Sequence, residues 1–265
     1  MEFQVLGPIE IRTHDGAQVS PKALKVRSLL AYLCAHSGRT VPSSRLVEAL
    51  WSGMPPQTAS TALHVYVSKL RKYLHDLGLP ASTLITTHPP GYRLNLADCS
   101  LDLDRFEGLL RDAQDLHSRG HVQEASRSVS AAIALWRGRA FEDLRTIPAF
   151  NSLGRRLDER LIYAYEQRFE LELALGNHRT LISEIHSLMD ELPTWENLYG
   201  YLIMVLYRSG RTAEALSAYS RIRRTMVQEL GIEPSPRLQQ LQRAVLQHDP
   251  VLNDPGFVLA RPLAS

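Results

Sequence analysis

The sequence predicts an α+β domain over residues 1–97, an all-α domain over residues 98–248 and a flexible tail over residues 249–265. Three observations carry that division. Strand and helix signals alternate up to Leu96, whereas almost every window from Leu101 onward has helical periodicity. Ahead of the change, a basic amphipathic stretch at 58–74 is followed by two β-type runs around Pro89-Pro90-Gly91, so a helix precedes a hairpin. Beyond it, Gly176 and Gly210 stand 34 residues apart, each closing a helical pattern in an apolar-x-Gly-polar turn.

The chain opens with Phe3–Leu6 and Ile9–Ile11 around Gly7-Pro8, and Asp15-Gly16 supplies a turn before Val19, which reads as a small antiparallel sheet. Pro21 is expected to open a helix that carries Val26, Leu29, Leu30 and Leu33 inward and ends near Gly38. Ser43 is the expected N-cap of a short second helix with Leu46, Val47 and Leu50 inward. Trp51 is expected to anchor the following loop. Pro55-Pro56 cannot continue a helix and Thr58 can cap the next one, giving a helix-turn-helix with a long turn.

That next helix is TASTALHVYVSKLRKYL. At about 100° per residue, Leu63, Val67, Leu70 and Leu74 form one stripe, while Thr61, Val65, Ser68, Lys69 and Lys72 lie opposite, with no carboxylate until Asp76. Such a surface can approach a phosphodiester backbone without charge repulsion. A helix followed by a hairpin is the winged-helix order. The segments LVEALW, then PP, then TALHVYVSKLRKYL, then ITTHPPGYRL resemble the OmpR/PhoB-type winged helix as used by the Streptomyces antibiotic regulatory protein (SARP) family.

In the second half, Asp102 to Ser118 carries Leu103, Phe106, Leu109, Leu110 and Leu116 inward, and Val122 to Trp136 carries Ala125, Val129, Ile133 and Leu135. Pro148 opens a long helix to Gly176, and further helices are expected at roughly 178–191, 194–209, 212–229 and 235–247. The glycine spacing, and alanines at 213, 215 and 218, fit a tetratricopeptide-like stacking of helix pairs; a nonrepeating helical bundle is the alternative. YRSGRTAEALSAYSRIRRTMVQELGIEPSPRLQQLQRAVL, residues 207–246, resembles the bacterial transcriptional activation domain of the SARP family, with ELGIEPSPRLQQL its more specific part.

Composition narrows the function classes. Residues 1–97 hold ten Lys and Arg against five Asp and Glu, a net +5, which leaves twenty against twenty-three, or −3, for residues 98–265. All four lysines lie in the basic part, the part with the helix and hairpin. No apolar run approaches the roughly 18 residues that span a bilayer, and the N-terminus lacks the basic and apolar regions of a signal peptide, so a cytoplasmic, nucleoid-associated location is expected without membrane contact. Cys34 and Cys99 have neither disulfide-framework nor zinc spacing, and Cys34 sits in an apolar helical pattern. GxxxxGK[ST], HExxH, GxSxG and a strand-following GxGxxG are all missing, so no catalysis, cofactor or metal is expected. His117 and His121 straddle Gly120, which breaks the helix that would align them as ligands.

Major-groove reading needs outward donors and acceptors flanked by cations. Thr61, Val65, Ser68 and Lys69 meet the first demand, and Arg71, Lys72 and His75 the second. Val65 fits a thymine methyl group or a contact with a neighbouring domain. His64 and His88 are read as donors at DNA, the alternative being plain surface residues. By resemblance, His88 falls where related wings often hold an arginine directed at the minor groove, and Arg93 in GYRL remains for a phosphate. Tyr92 is read as a core plug for the wing.

The resemblance implies a sequence-specific, DNA-binding transcriptional activator of a secondary-metabolite (antibiotic) gene cluster. It further implies binding to direct repeats in double-stranded DNA as a side-by-side dimer of protomers, and recruitment of RNA polymerase holoenzyme. The residues alone also admit a tetratricopeptide-type protein-interaction scaffold, or a repressor that acts by promoter occupancy.

Overall fold

A computed structural model of the chain describes residues 1–96, 98–192 and 195–254; the expected tail beyond Asp254 lies outside the described residues. The architecture is an α+β winged helix followed by a helical domain. In order, the elements are β1 (Glu2–Gln4), β2 (Glu10–Arg12), β3 (Gln18–Val19), α1 (Leu24–Ala35), β4 (Thr40–Pro42), α2 (Ser43–Trp51), α3 (Ala59–Asp76), α4 (Ala81–Leu84), β5 (Ile85–His88), β6 (Gly91–Leu94) and β7 (Ser100–Leu101). The helical series continues with α5 (Asp102–Ser118), α6 (Val122–Ile133), α7 (Pro148–Ala174), α8 (His178–Glu191), α9 (Glu196–Arg208), α10 (Thr212–Thr225) and α11 (Pro236–Gln247). Two compact units divide this chain, residues 1–114 with 128–164 and residues 115–127 with the chain from Tyr165 onward.

In the first unit, α1, α2 and α3 pack on one another. Leu29, Leu30 and Leu33 of α1, Leu46 and Leu50 of α2, and Leu63, Val67, Leu70 and Leu74 of α3 are buried together in its core. Each such side chain contributes about 1.5–3 kcal/mol by leaving water. The stripe read from α3 is therefore its packing face.

Two small sheets flank these helices, one with order β3-β2-β1-β7 and one with order β4-β6-β5. The leading sheet is antiparallel through β1, β2 and β3, as the alternating pattern predicts, and gains β7 as a parallel neighbour of β1. The hairpin of β5 and β6 gains β4, paired antiparallel to β6 with Val41 opposite Tyr92. Neither β4 nor β7 is visible in the sequence, because Val41 stands alone between Thr40 and Pro42, and Leu101 leads directly into the helical pattern of α5. Gly91 is required where β6 starts: a Cβ there would stand 1.8 Å from the Val41 carbonyl oxygen.

Two helix starts and one cap differ from expectation. Helix α1 begins at Leu24, not Pro21, because Val26 and Arg27 N–H both donate to Ala23 O and close the first turn there. Ser43 is the first residue of α2, not its cap, and its N–H donates to Pro90 O in the wing turn. Thr58 precedes α3, but its side chain makes no capping bond; its carbonyl accepts from Ala62 N–H instead.

Residues after Asp98 also belong to the first unit through a knot of hydrogen bonds. The Asp102 carboxylate, buried at the start of α5, accepts from the N–H groups of Val5 and Leu6 at 2.9 Å. Arg137 N–H and Phe141 N–H return to Leu6 O and Val5 O, and the Arg137 side chain reaches Glu10 and Pro8 O. Burial pushes the Asp102 carboxyl up to about 6, against the opposing pull of the Leu6 and Val5 N–H groups and of Arg137.

In the second unit, α9 is the spine. Every residue from Leu198 to Leu206 is buried, between α8 and α10. The last turns of α7 run parallel to α9: Glu166 accepts from Asn197, Glu170 from Tyr201, and Leu173 O from Arg208. These offsets of 31 to 35 residues are about one tetratricopeptide repeat. Gly176 and Gly210 close the preceding helices at φ +79° and +76°, a conformation glycine adopts without a Cβ penalty. Helix α10 gives way at Met226 to a π turn through Leu230. Packing continues past residue 248, where Leu252 is buried and its carbonyl accepts from Arg208.

Candidate nucleic-acid interface

Helix α3 projects its polar face from the first unit. Thr61, His64, Val65, Ser68, Lys69 and Lys72 line one open groove, and all six are exposed. Val65 is 46% exposed, a large open surface for an apolar side chain. No carboxylate lies on this face. Asp76 stands at the far end, 3.9 Å from its neighbour His75, and Arg45–Glu48 on α2 is an i,i+3 pair of its own. Lys69 and Lys72 have no ion-pair partner among the described residues. Lys25, by contrast, is spent on structure: it donates to Leu50 O and lies 5.2 Å from the centre of the Trp51 ring, and burial lowers its pKa. Trp51 also packs against Tyr66 of α3, ring centres 5.9 Å apart, which anchors the α2–α3 loop as expected. Met54 in that loop is 84% exposed.

The wing is fastened to α3 at two points. Arg71 Nε and Nη2 donate to Ile85 O at 3.0 and 2.7 Å, and Nη2 also donates to Thr87 Oγ1 at 3.1 Å. Only its Nη1 hydrogens remain for another acceptor. Farther up the helix, Tyr92 Oη lies 2.7 Å from His64 Nδ1. Tyr92 is 3% exposed, so it does plug the wing, but its hydroxyl also reaches the reading face. The sequence reading missed both ties. Strand alternation could have placed Tyr92 and Leu94 on the covered face, while the partner of the hydroxyl depends on where β6 lands.

The remaining candidates sit apart from the groove. His88 is exposed at the wing tip, opposite Gly91 and next to the cis Pro89–Pro90 peptide. Arg93 is half-buried between Thr40 and Thr86, on the sheet face opposite Tyr92, so it does not line the α3 groove. Thus α3 gathers six of the sequence-derived residues, Arg71 is shared with the wing, and His88 and Arg93 share the wing face opposite Tyr92. Among the described residues no His, Cys, Asp and Glu group could hold a metal ion, and no helix is long and apolar enough to cross a membrane.

Residues 19–94 match the family described as transcriptional regulatory protein, C terminal, and residues 101–246 match the bacterial transcriptional activator domain. The chain is 36% identical over 261 residues to regulatory protein DnrI of Streptomyces peucetius, covering 97% of this chain and 96% of that protein. It is 36% identical over 253 residues to regulatory protein AfsR of Streptomyces coelicolor, covering 95% of this chain and 25% of that one. The solved structure of Mycobacterium tuberculosis EmbR in complex with a low-affinity phosphopeptide superposes with a TM-score of 0.86 at 35% identity, over 94% of this chain and 65% of that one. The transcriptional regulatory protein EmbR of that organism is likewise matched over 64% of its length. With an exposed basic helix behind a wing, both domain matches in this order and a relative matched nearly end to end, the chain belongs to the SARP family of transcriptional regulators.

Proposed function

We propose that the protein activates transcription by inserting α3 into the major groove of direct repeats and presenting its helical domain to RNA polymerase holoenzyme. The observation that carries this reading is the carboxylate-free exposed face of α3, with Lys69 and Lys72 unpaired beside Thr61, His64, Val65 and Ser68. A helix fits the major groove, where hydroxyl, imidazole and ammonium groups meet base-edge acceptors and a methyl-sized apolar group meets thymine. In this reading Lys72, the free side of Arg71, and Arg93 hold phosphates, and His88 approaches the adjacent minor groove. The described chain has no heptad seam to impose a two-fold pair, so two protomers sit side by side on repeats about 10–11 bp apart, each meeting the same groove face. Weak polymerase contacts from the two helical domains then reinforce one another through effective concentration. The targets are promoters of a secondary-metabolite cluster, and the protein works at the nucleoid.

Footprinting on genomic fragments, followed by salt titration and transcription with purified polymerase, tests the reading. The expected results are tandem protection, a steep loss of affinity with salt and a rise in transcript. A flat salt response favours a protein-binding scaffold, a fall in transcript favours repression by occupancy, and an inverted-repeat footprint overturns the side-by-side arrangement.

A further inference from the structure

The bond between Tyr92 and His64 couples the direction of the phenol proton to the tautomer of the imidazole. Tyr92 is almost wholly buried, and a buried phenol proton needs an acceptor. Among the described residues, the partner found for its hydroxyl is His64 Nδ1, at 2.7 Å. Donation from the phenol leaves Nδ1 without a proton, so the neutral ring carries its hydrogen on Nε2. The rest of the ring is open: His64 is exposed and lines the α3 groove between Thr61, one turn before it, and Ser68, one turn after it. With the phenol as donor, the wing turns a side chain able to donate or accept into a donor on the reading face.

We propose that Tyr92 is a positioning residue that locks His64 as an Nε2–H donor, and that the acceptor it reads is a purine N7 in the major groove. This rests on the reading of α3 as the DNA-contacting helix. A locked donor finds no partner in the N4 amino group that cytosine presents; of the acceptors that remain, N7 is the one that adenine and guanine share, and 7-deaza substitution separates it from thymine O4 and guanine O6. His64 lines the groove one turn from both Thr61 and Ser68, the short polar side chains read as facing base edges, whereas Lys72 stands at the C-terminal end of the lining set. The hydroxyl can be removed without releasing the wing, since Arg71 holds Ile85 and Thr87 independently, and phenylalanine keeps the edge-to-face ring contact with His64 at 6.3 Å.

The test uses the full chain and a duplex selected from a random-sequence pool. His64→Ala is expected to lose about three- to tenfold of the preference for selected over random DNA, the range of one hydrogen bond, and Tyr92→Phe, whose released ring still donates from Nε2 part of the time, about twofold. The double variant should lose no more than His64→Ala alone. One purine of the duplex, replaced by its 7-deaza analogue, should weaken the wild type by the same factor and make no difference to His64→Ala. Nitrogen-15 spectra of the imidazole at about pH 8 should show the Nε2–H tautomer in the wild type and a mixture in Tyr92→Phe. Additive losses, equal loss on both DNAs, an Nδ1–H wild type, or indifference to every 7-deaza position would overturn the proposal. A wild type with no preference for any duplex overturns the DNA reading and this role with it; a tautomer shift in Tyr92→Phe would then show that the failure lies in the DNA reading and not in the Tyr92–His64 bond.

Discussion

Helices α3 and α9 show what the two parts of the molecule are built to do. Helix α3 buries Ala59, Leu63, Val67, Leu70 and Leu74, about one residue per turn, and leaves Thr61, His64, Val65, Ser68, Lys69 and Lys72 open. Helix α9 buries nine consecutive residues, Leu198 to Leu206, on all sides. A helix apolar all round serves as packing material, and one with a single stripe is free to present its other face. The difference predicts that substitutions in α9 act on stability and those on the outer face of α3 act on recognition, with little exchange between the two.

The largest effect is expected in the spine. Leu202→Ala should cost about 3.5 kcal/mol of unfolding free energy, the middle of the range for a buried leucine, while the folded fraction binds DNA within about twofold of the wild type. Denaturant titration together with an equilibrium binding assay measures both; a fall in affinity at full stability would break the comparison. Gly91→Ala tests the wing. Its new Cβ would meet Val41 O at 1.8 Å and Pro42 Cα at 2.7 Å, both backbone, so a loss near 3 kcal/mol is expected, at the upper end of overpacking costs.

Asp102 offers a pH test. Its carboxyl is raised by burial from the ordinary 3.8 to about 6 in the folded protein, so between those values the folded state holds the proton more tightly than the unfolded chain. Stability from this group is therefore full below about pH 4 and is lost as pH rises through about 6, on the order of 3 kcal/mol in all. Urea titrations of the wild type and Asp102→Asn from pH 4 to 7 should show that decline in the difference between the two proteins. A difference that stays level, or rises with pH, would contradict the burial of a costly carboxylate beside Val5 and Leu6.

The smallest stability changes belong to the outer face of α3. Lys69→Ala and Lys72→Ala should each move stability by no more than about 0.5 kcal/mol, because neither side chain has a partner to lose. Their effects on DNA should differ in kind. Lys69→Ala should lose about 1–3 kcal/mol of discrimination between cognate and random duplexes, and Lys72→Ala should weaken both alike and reduce the salt slope by about one. Uniform weakening by both variants would remove Lys69 from the reading set.

The sequence by itself determined where the long helices form and which side of α3 is apolar, though not the single turn of α4. Helix α5 spans Asp102–Ser118 and α7 opens at Pro148, both as periodicity and capping chemistry predict, and the inward stripe of α3 is the buried one. The six groove residues were legible for the same reason: at helical spacing, whatever is not on the stripe must face out. Tertiary structure alone decided the strands β4 and β7, the commitment of Arg71 to the wing, and the bonds from Tyr92 to His64 and from Asp102 to the first strand. These contacts join residues 28 and 97 positions apart, and a local pattern cannot encode them. Apolar periodicity reports an average preference for burial along a few turns. A hydrogen bond requires one donor to meet one acceptor within a few tenths of an ångström, and only the return path of the whole chain sets which pair meets.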